Sequence, residues 1–225
     1  MSWKIFETGR RISRATMLPL CVAACMKPAT TRGDARAARV MPTDLVPVTV
    51  RDGLTILHGA ATDGGDVAIF RTWRDNGNAW SYHVFLVTEP RGTDGRGWRV
   101  VGADDGPDRK RPLRNHLTDT PHTGEDGTAS IHFARGRIAG QPALLLIEAR
   151  RQLGQEPANA PTPSVIDIYR LVSSEGVPGW TPDYFRFVTE LRDPVRRCDA
   201  DAALAAMLLP ALPRDDAGAR NGTGC

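Results

Sequence analysis

The chain has 225 residues, 41% of them hydrophobic and 24% charged, which makes it too apolar for a wholly disordered protein and too short for more than one or two domains. Its formal charge of +3 resides in the first 24 residues, where Lys4, Arg10, Arg11 and Arg14 face only Glu7, and the rest of the chain is formally neutral. Later basic residues alternate with acids, as between Asp104 and Arg111, so no stripe able to neutralise a phosphate backbone is predicted and nucleic acid is not an expected partner.

The longest apolar run, Ala15 to Ala24, is interrupted by Thr16 and Pro19 and falls short of the roughly 20 apolar residues of a membrane-spanning helix. It comes after the basic stretch Arg10-Arg11-Ile12-Ser13-Arg14, which is the order of a secretory signal. Basic residues stay on the cytoplasmic side, a short apolar run enters the translocon, and small residues admit the peptidase. Val22-Ala23-Ala24-Cys25 resembles the lipobox of bacterial lipoprotein precursors, in which an aliphatic and two small residues precede an acylated cysteine. The resemblance is confined to the leader. It implies cleavage after Ala24, lipid attachment (palmitate among the chains) at Cys25, and residence in the bacterial cell envelope on the periplasmic face of a membrane, inner or outer. Secretion with cleavage elsewhere, or a short buried helix over residues 12–25, are the other readings of this segment.

From Met26 to Pro47 there are three prolines, Lys27, Arg32, Arg36 and Arg39, and almost no large apolar side chain before Val40. Such a stretch cannot bury enough surface to offset its ordering entropy, so residues 25–44 are expected to form a flexible tether. It would hold a folded domain, residues 45–209, clear of the bilayer.

In that domain the apolar pattern is short and turn-bounded, and 22 Gly and 17 Pro suit many turns. Strands are predicted at Leu45 to Val50, Leu54 to His58, Val67 to Trp73, Ala79 to Thr88, Trp98 to Val101, Ala129 to Ala134, Ala143 to Ala149, Val165 to Val172 and Tyr184 to Leu191. Asn76-Gly77 is placed to turn one hairpin, and the segment from Arg135 to Pro142 to connect a second. Leu144-Leu145-Leu146-Ile147 is continuously apolar, which predicts a central position between layers. No strand-helix-strand rhythm appears. The expected fold is therefore mainly β, an antiparallel β-sandwich or open barrel with one C-terminal helix. That helix is predicted over Ala200 to Leu209, capped by Asp199 or Asp201, stopped by Pro210, and packed through Leu204, Met207 and Leu208. Residues 210–225 are expected to be a disordered tail.

Strong catalytic motifs are absent from the sequence: no phosphate loop, nucleophile elbow, Cys-x-x-Cys pair, His-Glu-x-x-His helix or dinucleotide glycine pattern. The densest polar stretch runs from His116 to Asp126. His116, Asp119 and His122 could ligate zinc, with Glu125 as a base on bound water, but Pro121 and Gly124 favour a solvated connection between strands. Asp104-Asp105-Gly106-Pro107-Asp108 reads as a turn rather than a calcium loop. Trp73, Trp80, Trp98 and Trp180 are expected to fill the core rather than form a stacking platform, and His58, His83 and His132 to be hydrogen-bonded structural residues. With Cys25 acylated, Cys198 and Cys225 remain to form a disulfide, contributing up to about 3 kcal/mol, or to stay free.

The favoured function is a non-catalytic envelope lipoprotein that binds or scaffolds a periplasmic protein or glycan and needs no cofactor. The alternative is a secreted or anchored metal-dependent hydrolase using the polar loop at 116–125.

Overall fold

The computed structural model describes residues 40–78, 81–91, 97–106, 112–122, 127–157 and 159–210. The predicted leader with Ala24 and Cys25, most of the predicted tether, and the predicted tail from residue 211 with Cys225 lie outside the described residues.

Twelve strands are described. The chain enters through β1 (Thr43–Val48), β2 (Gly53–Leu57), β3 (Val67–Arg74), β4 (Tyr82–Pro90) and β5 (Trp98–Val100). The short strands β6 (Gly102–Ala103), β7 (Leu117–Thr118) and β8 (Thr120–His122) come next. The long strands β9 (Gly127–Ile138), β10 (Gln141–Arg151), β11 (Thr162–Ser173) and β12 (Asp183–Arg197) precede one helix, α1 (Ala200–Met207).

They form two sheets. The larger runs β1-β9-β10-β11-β12-β6, with β8 also on β9; the smaller runs β2-β3-β4-β5, with β7 also on β4. All pairs are antiparallel except β12 with β6. This is the mainly β architecture that the alternation predicted, with the single helix at the end.

Parity along the strands decides what each face touches. On the inner face of the small sheet, Leu57, Val67, Ile69, Phe85 and Val87 meet Phe133, Leu144, Leu146, Tyr169 and Phe185 of the large sheet in one core. Phe85 lies 6.3 Å from Phe133, centroid to centroid, and Phe133 lies 6.1 Å from Phe185, so an aromatic row bridges the layers. Leu145, Ile147, Ile166, Ile168 and Leu191 point the other way, into a second core closed by Ala200, Leu204 and Leu209. The continuous run 144–147 is apolar because the large sheet is covered on both faces there.

Three local expectations need correction. The second hairpin turns at Ala139-Gly140, both at positive φ, and its strands run through 135–138 and 141–142. Arg135 and Arg137 look like loop residues but are exposed residues of β9, while Gly136 lies where β1 crosses. A Cβ there would come within 2.8 Å of Leu45 Cδ2. The β3–β4 connection spans residues 75–81 rather than 74–78, and among its described residues Gly77 alone adopts positive φ. On α1, capped by the Asp199 carboxylate accepting from Asp201 N, the buried face is Ala200, Ala203 and Leu204, whereas Met207 is exposed.

Candidate functional site

The polar stretch around Asp119 is the passage between the sheets. β7 pairs with β4 of the small sheet and β8 with β9 of the large one, so Asp119, between them, is drawn inside rather than left in a wet loop. Its Oδ1 accepts from the backbone N of His83 at 2.6 Å, and its Oδ2 stands 2.8 Å from His83 Nδ1. The other ring nitrogen of His83, Nε2, stands 3.1 Å from NH2 of Arg71. A guanidinium can only donate, so Nε2 accepts and Nδ1 carries the proton that goes to Asp119. Arg71 is held in turn by Asp52 at 2.9 Å and by the carbonyl of Val50 at 3.2 Å. The ring of Trp73 meets His83 edge-on at 4.7 Å.

The three residues considered for zinc are thus not assembled by what is described. Asp119 belongs to His83, and His116 is exposed. The side chain of His122, like Glu125, lies outside the described residues. Among the described residues no group of three His, Cys, Asp or Glu side chains could hold a metal.

A second constellation was missed by sequence reading. Glu148, Asp167 and Glu190 stand side by side on β10, β11 and β12. Arg114 NH1 stands 2.8 Å from Glu148 Oε1, and its guanidinium lies 5.6 Å over the Tyr169 ring. The same guanidinium donates to the Asp104 carbonyl at 2.9 Å. Tyr169 donates its hydroxyl to Glu148 at 3.4 Å. Arg150 pairs with Asp167 Oδ2, and Arg192 with Glu190 at 2.7 Å.

Each of these acids therefore has an arginine, but Asp167 Oδ1 is buried without a hydrogen-bond partner. Burial pushes the Asp167 carboxyl up to about 6 although Arg150 pulls it down, and Glu148 and Glu190 add to the rise. Burial, then Glu148, also push the Tyr169 hydroxyl up. Burial works against the charge on Arg114, and Glu148 more than restores it. The sequence signal was available: Glu148 and Asp167 are acids set within runs of apolar strand residues, positions where an unpaired charge is costly.

A third constellation sets Glu89 of β4 beside Asp183 at the start of β12. Asp183 accepts from Thr62 N at 2.9 Å and from its hydroxyl at 2.6 Å, while Glu89 holds Arg99 at 2.6 Å. Burial raises the Glu89 carboxyl above its usual range, against the pull of Arg99 and with Asp183 adding to the rise.

The remaining sequence candidates are dispersed over the sandwich. Asp104 turns its carboxylate onto the backbone N of Phe187 at 2.9 Å and so fastens β12. His58 pairs with Asp66 at 3.0 Å, and His132 with Asp201 at 2.8 Å, tying β9 to α1. Trp73, Trp98 and Trp180 are 45%, 50% and 40% exposed, contrary to the expectation of core packing. Trp73 sits near a strand end, Trp98 on a three-residue strand and Trp180 in a turn, where its ring meets Tyr184 edge-on at 4.8 Å. Trp80 lies outside the described residues. Cys198 is disulfide-bonded, and its pairing partner lies outside the described residues, as does Cys225.

No family model matches the chain, and no curated protein matches it. Among solved structures it is similar to the one described as the crystal structure of CarG, at 18% sequence identity and a TM-score of 0.57, over 75% of this chain and 99% of that chain. At that identity the likeness carries the β fold alone.

Proposed function

We propose that the chain is a non-catalytic cell-envelope lipoprotein, anchored through acylated Cys25, whose β-sandwich binds or scaffolds a periplasmic protein or glycan. The observation that carries the binding role is the exposure of three large aromatic side chains, Trp73, Trp98 and Trp180. Tryptophan is the residue type most enriched among those that dominate contact energies, and burial at a partner would recover the apolar area now left in water.

The absence of catalysis is supported by the state of the best acid-base pair. In a working Asp-His dyad the second ring nitrogen faces a nucleophile or substrate, whereas Nε2 of His83 is occupied by Arg71. In the metal-hydrolase alternative Asp119 would have to serve a metal through oxygens that both already contact His83.

The test has two arms. Metabolic labelling with a palmitate analogue should label the wild-type chain and not Cys25→Ser, which should also leave the membrane fraction. Photo-crosslinking groups placed separately at residues 73, 98 and 180 should, from at least one of these positions, capture an envelope component that is absent when the group is placed at Arg196 on the exposed part of β12. Equal labelling of Cys25→Ser, or no adduct specific to the tryptophan positions, would overturn the proposal.

A further inference from the structure

The inner face of the small sheet is closed by the large sheet, and its outer face is built from the same kind of side chain. Register sets Leu54, Phe70 and Leu86 side by side across β2, β3 and β4, and the next row runs from Ile56 to Val100 of β5. Alternation turns these residues away from the core that holds Val67, Ile69 and Phe85. Among the described residues the outward positions of the four strands carry one charge, Arg74 at the end of β3, whose guanidinium lies 5.5 Å over the Tyr82 ring. Leu54, Ile56, Phe70 and Trp98 are 60%, 43%, 44% and 50% exposed.

We propose that this outer face is a self-association surface, covered by the same face of a second copy about a two-fold axis, so that two small sheets pack against each other between the two large ones.

The area fits a dimer. The four most exposed side chains leave about 400 Å² in water, and the partly exposed positions between them bring the face to roughly 700 Å², more than a single chain usually keeps in one apolar patch. Two copies would bury roughly 1,400 Å², within the range of a stable interface. Two strand layers of like twist stack about 10 Å apart, as the two sheets of one chain do, so the copy brings a surface of matching shape.

The charge pattern selects a second copy over other occupants. A two-fold axis sets a patch against itself, where a formal charge near the middle would be buried beside its like, and the middle of this face has none. Interfaces between copies of one chain are also more apolar than those between proteins that meet transiently. A surface that adsorbs to a bilayer is ringed by Lys and Arg. At the margins of this sheet the charges are instead matched, Asp52 with Arg71 at 2.9 Å and Asp66 with His58 at 3.0 Å. Trp98 stands on this face and is covered by the second copy, whereas Trp73, on the other parity of β3, and Trp180, in the turn before β12, stand off it.

Photo-crosslinking in intact cells that co-express two differently tagged full-length copies tests the proposal. A crosslinking group at residue 70 or 86 should give an adduct of twice the chain mass carrying both tags, and a group at Arg196 should not. With the group at residue 86, L54K/F70K places charge on the face and should cut that adduct about tenfold or more, while melting as the wild type does at low protein concentration. Phe70→Ser, which removes only the ring, should cut it less. No doubly tagged adduct from either position, an adduct as strong from Arg196, or one undiminished by both L54K/F70K and Phe70→Ser would each overturn the proposal. So would adducts from residues 70 and 86 to lipid or to a different protein, which would assign the face to that occupant.

Discussion

The large sheet is covered on both faces and the small sheet on one, and their strands are written differently as a result. β10 buries Leu144 and Leu146 toward the small sheet and Leu145, Ile147 and Ala149 toward α1, so alternation disappears. β2 and β3 bury Leu57, Val67 and Ile69 on one side, while Leu54, Ile56 and Phe70 face outward. The outer face is apolar too, although nothing described covers it. Burial in the large sheet is thus fixed within the chain, whereas the outer face of the small sheet keeps apolar area in water, where a single chain gains nothing from it.

This contrast can be broken at its strongest point first. Leu146→Ala, in the core between the sheets, should lower unfolding stability by about 2–5 kcal/mol, since neighbours fixed from two layers cannot collapse into the space. Chemical denaturation would measure it. A loss below about 1 kcal/mol would mean that the layers pack loosely.

The polar end of the same sheet should respond to pH. Asp167 is pushed up to about 6 in the folded chain from an ordinary 3.8, so between these values the folded state holds more of the proton than the unfolded state. Its contribution to stability is then largest at and below pH 4, falls as pH rises toward 6, and stays reduced above that. The difference should be of the order of 1–3 kcal/mol. Asp167→Asn keeps the neutral shape and should flatten this part of the profile when unfolding is followed from pH 4 to 7. An unchanged slope in the variant would assign the effect to other carboxyls, Glu89 foremost, since it too is raised.

The smallest effect is expected on the open face. Phe70→Ser removes an aromatic ring that is 44% exposed, and should change the stability of the monomer by no more than about 0.5 kcal/mol. Thermal melts at low protein concentration would check it. A loss comparable to that of Leu146→Ala would mean that this face is covered after all.

The β class, the strand positions and the Asp199 cap were legible because they rest on information a few residues long. Alternation in Val165 to Val172 assigns one face to each side chain whatever the partner strand, and a carboxylate next to the first helical turn finds its amide locally. The segment from Arg135 to Pro142 misled for a local reason as well: Arg-Gly-Arg has the composition of a loop, and its strand state comes from β1 lying across Gly136.

What only the tertiary structure decided is which polar groups meet. Asp119 and His83 are 36 residues apart, and Glu148 stands beside Asp167 across two strands because the hairpin register leaves no other place for it. Register is set by the summed burial of many side chains across the sheets, so no one residue carries it in its own neighbourhood. The tryptophans were misjudged for the same reason. Side-chain size predicts a demand for burial, but whether a layer lies overhead is a property of the assembled sandwich.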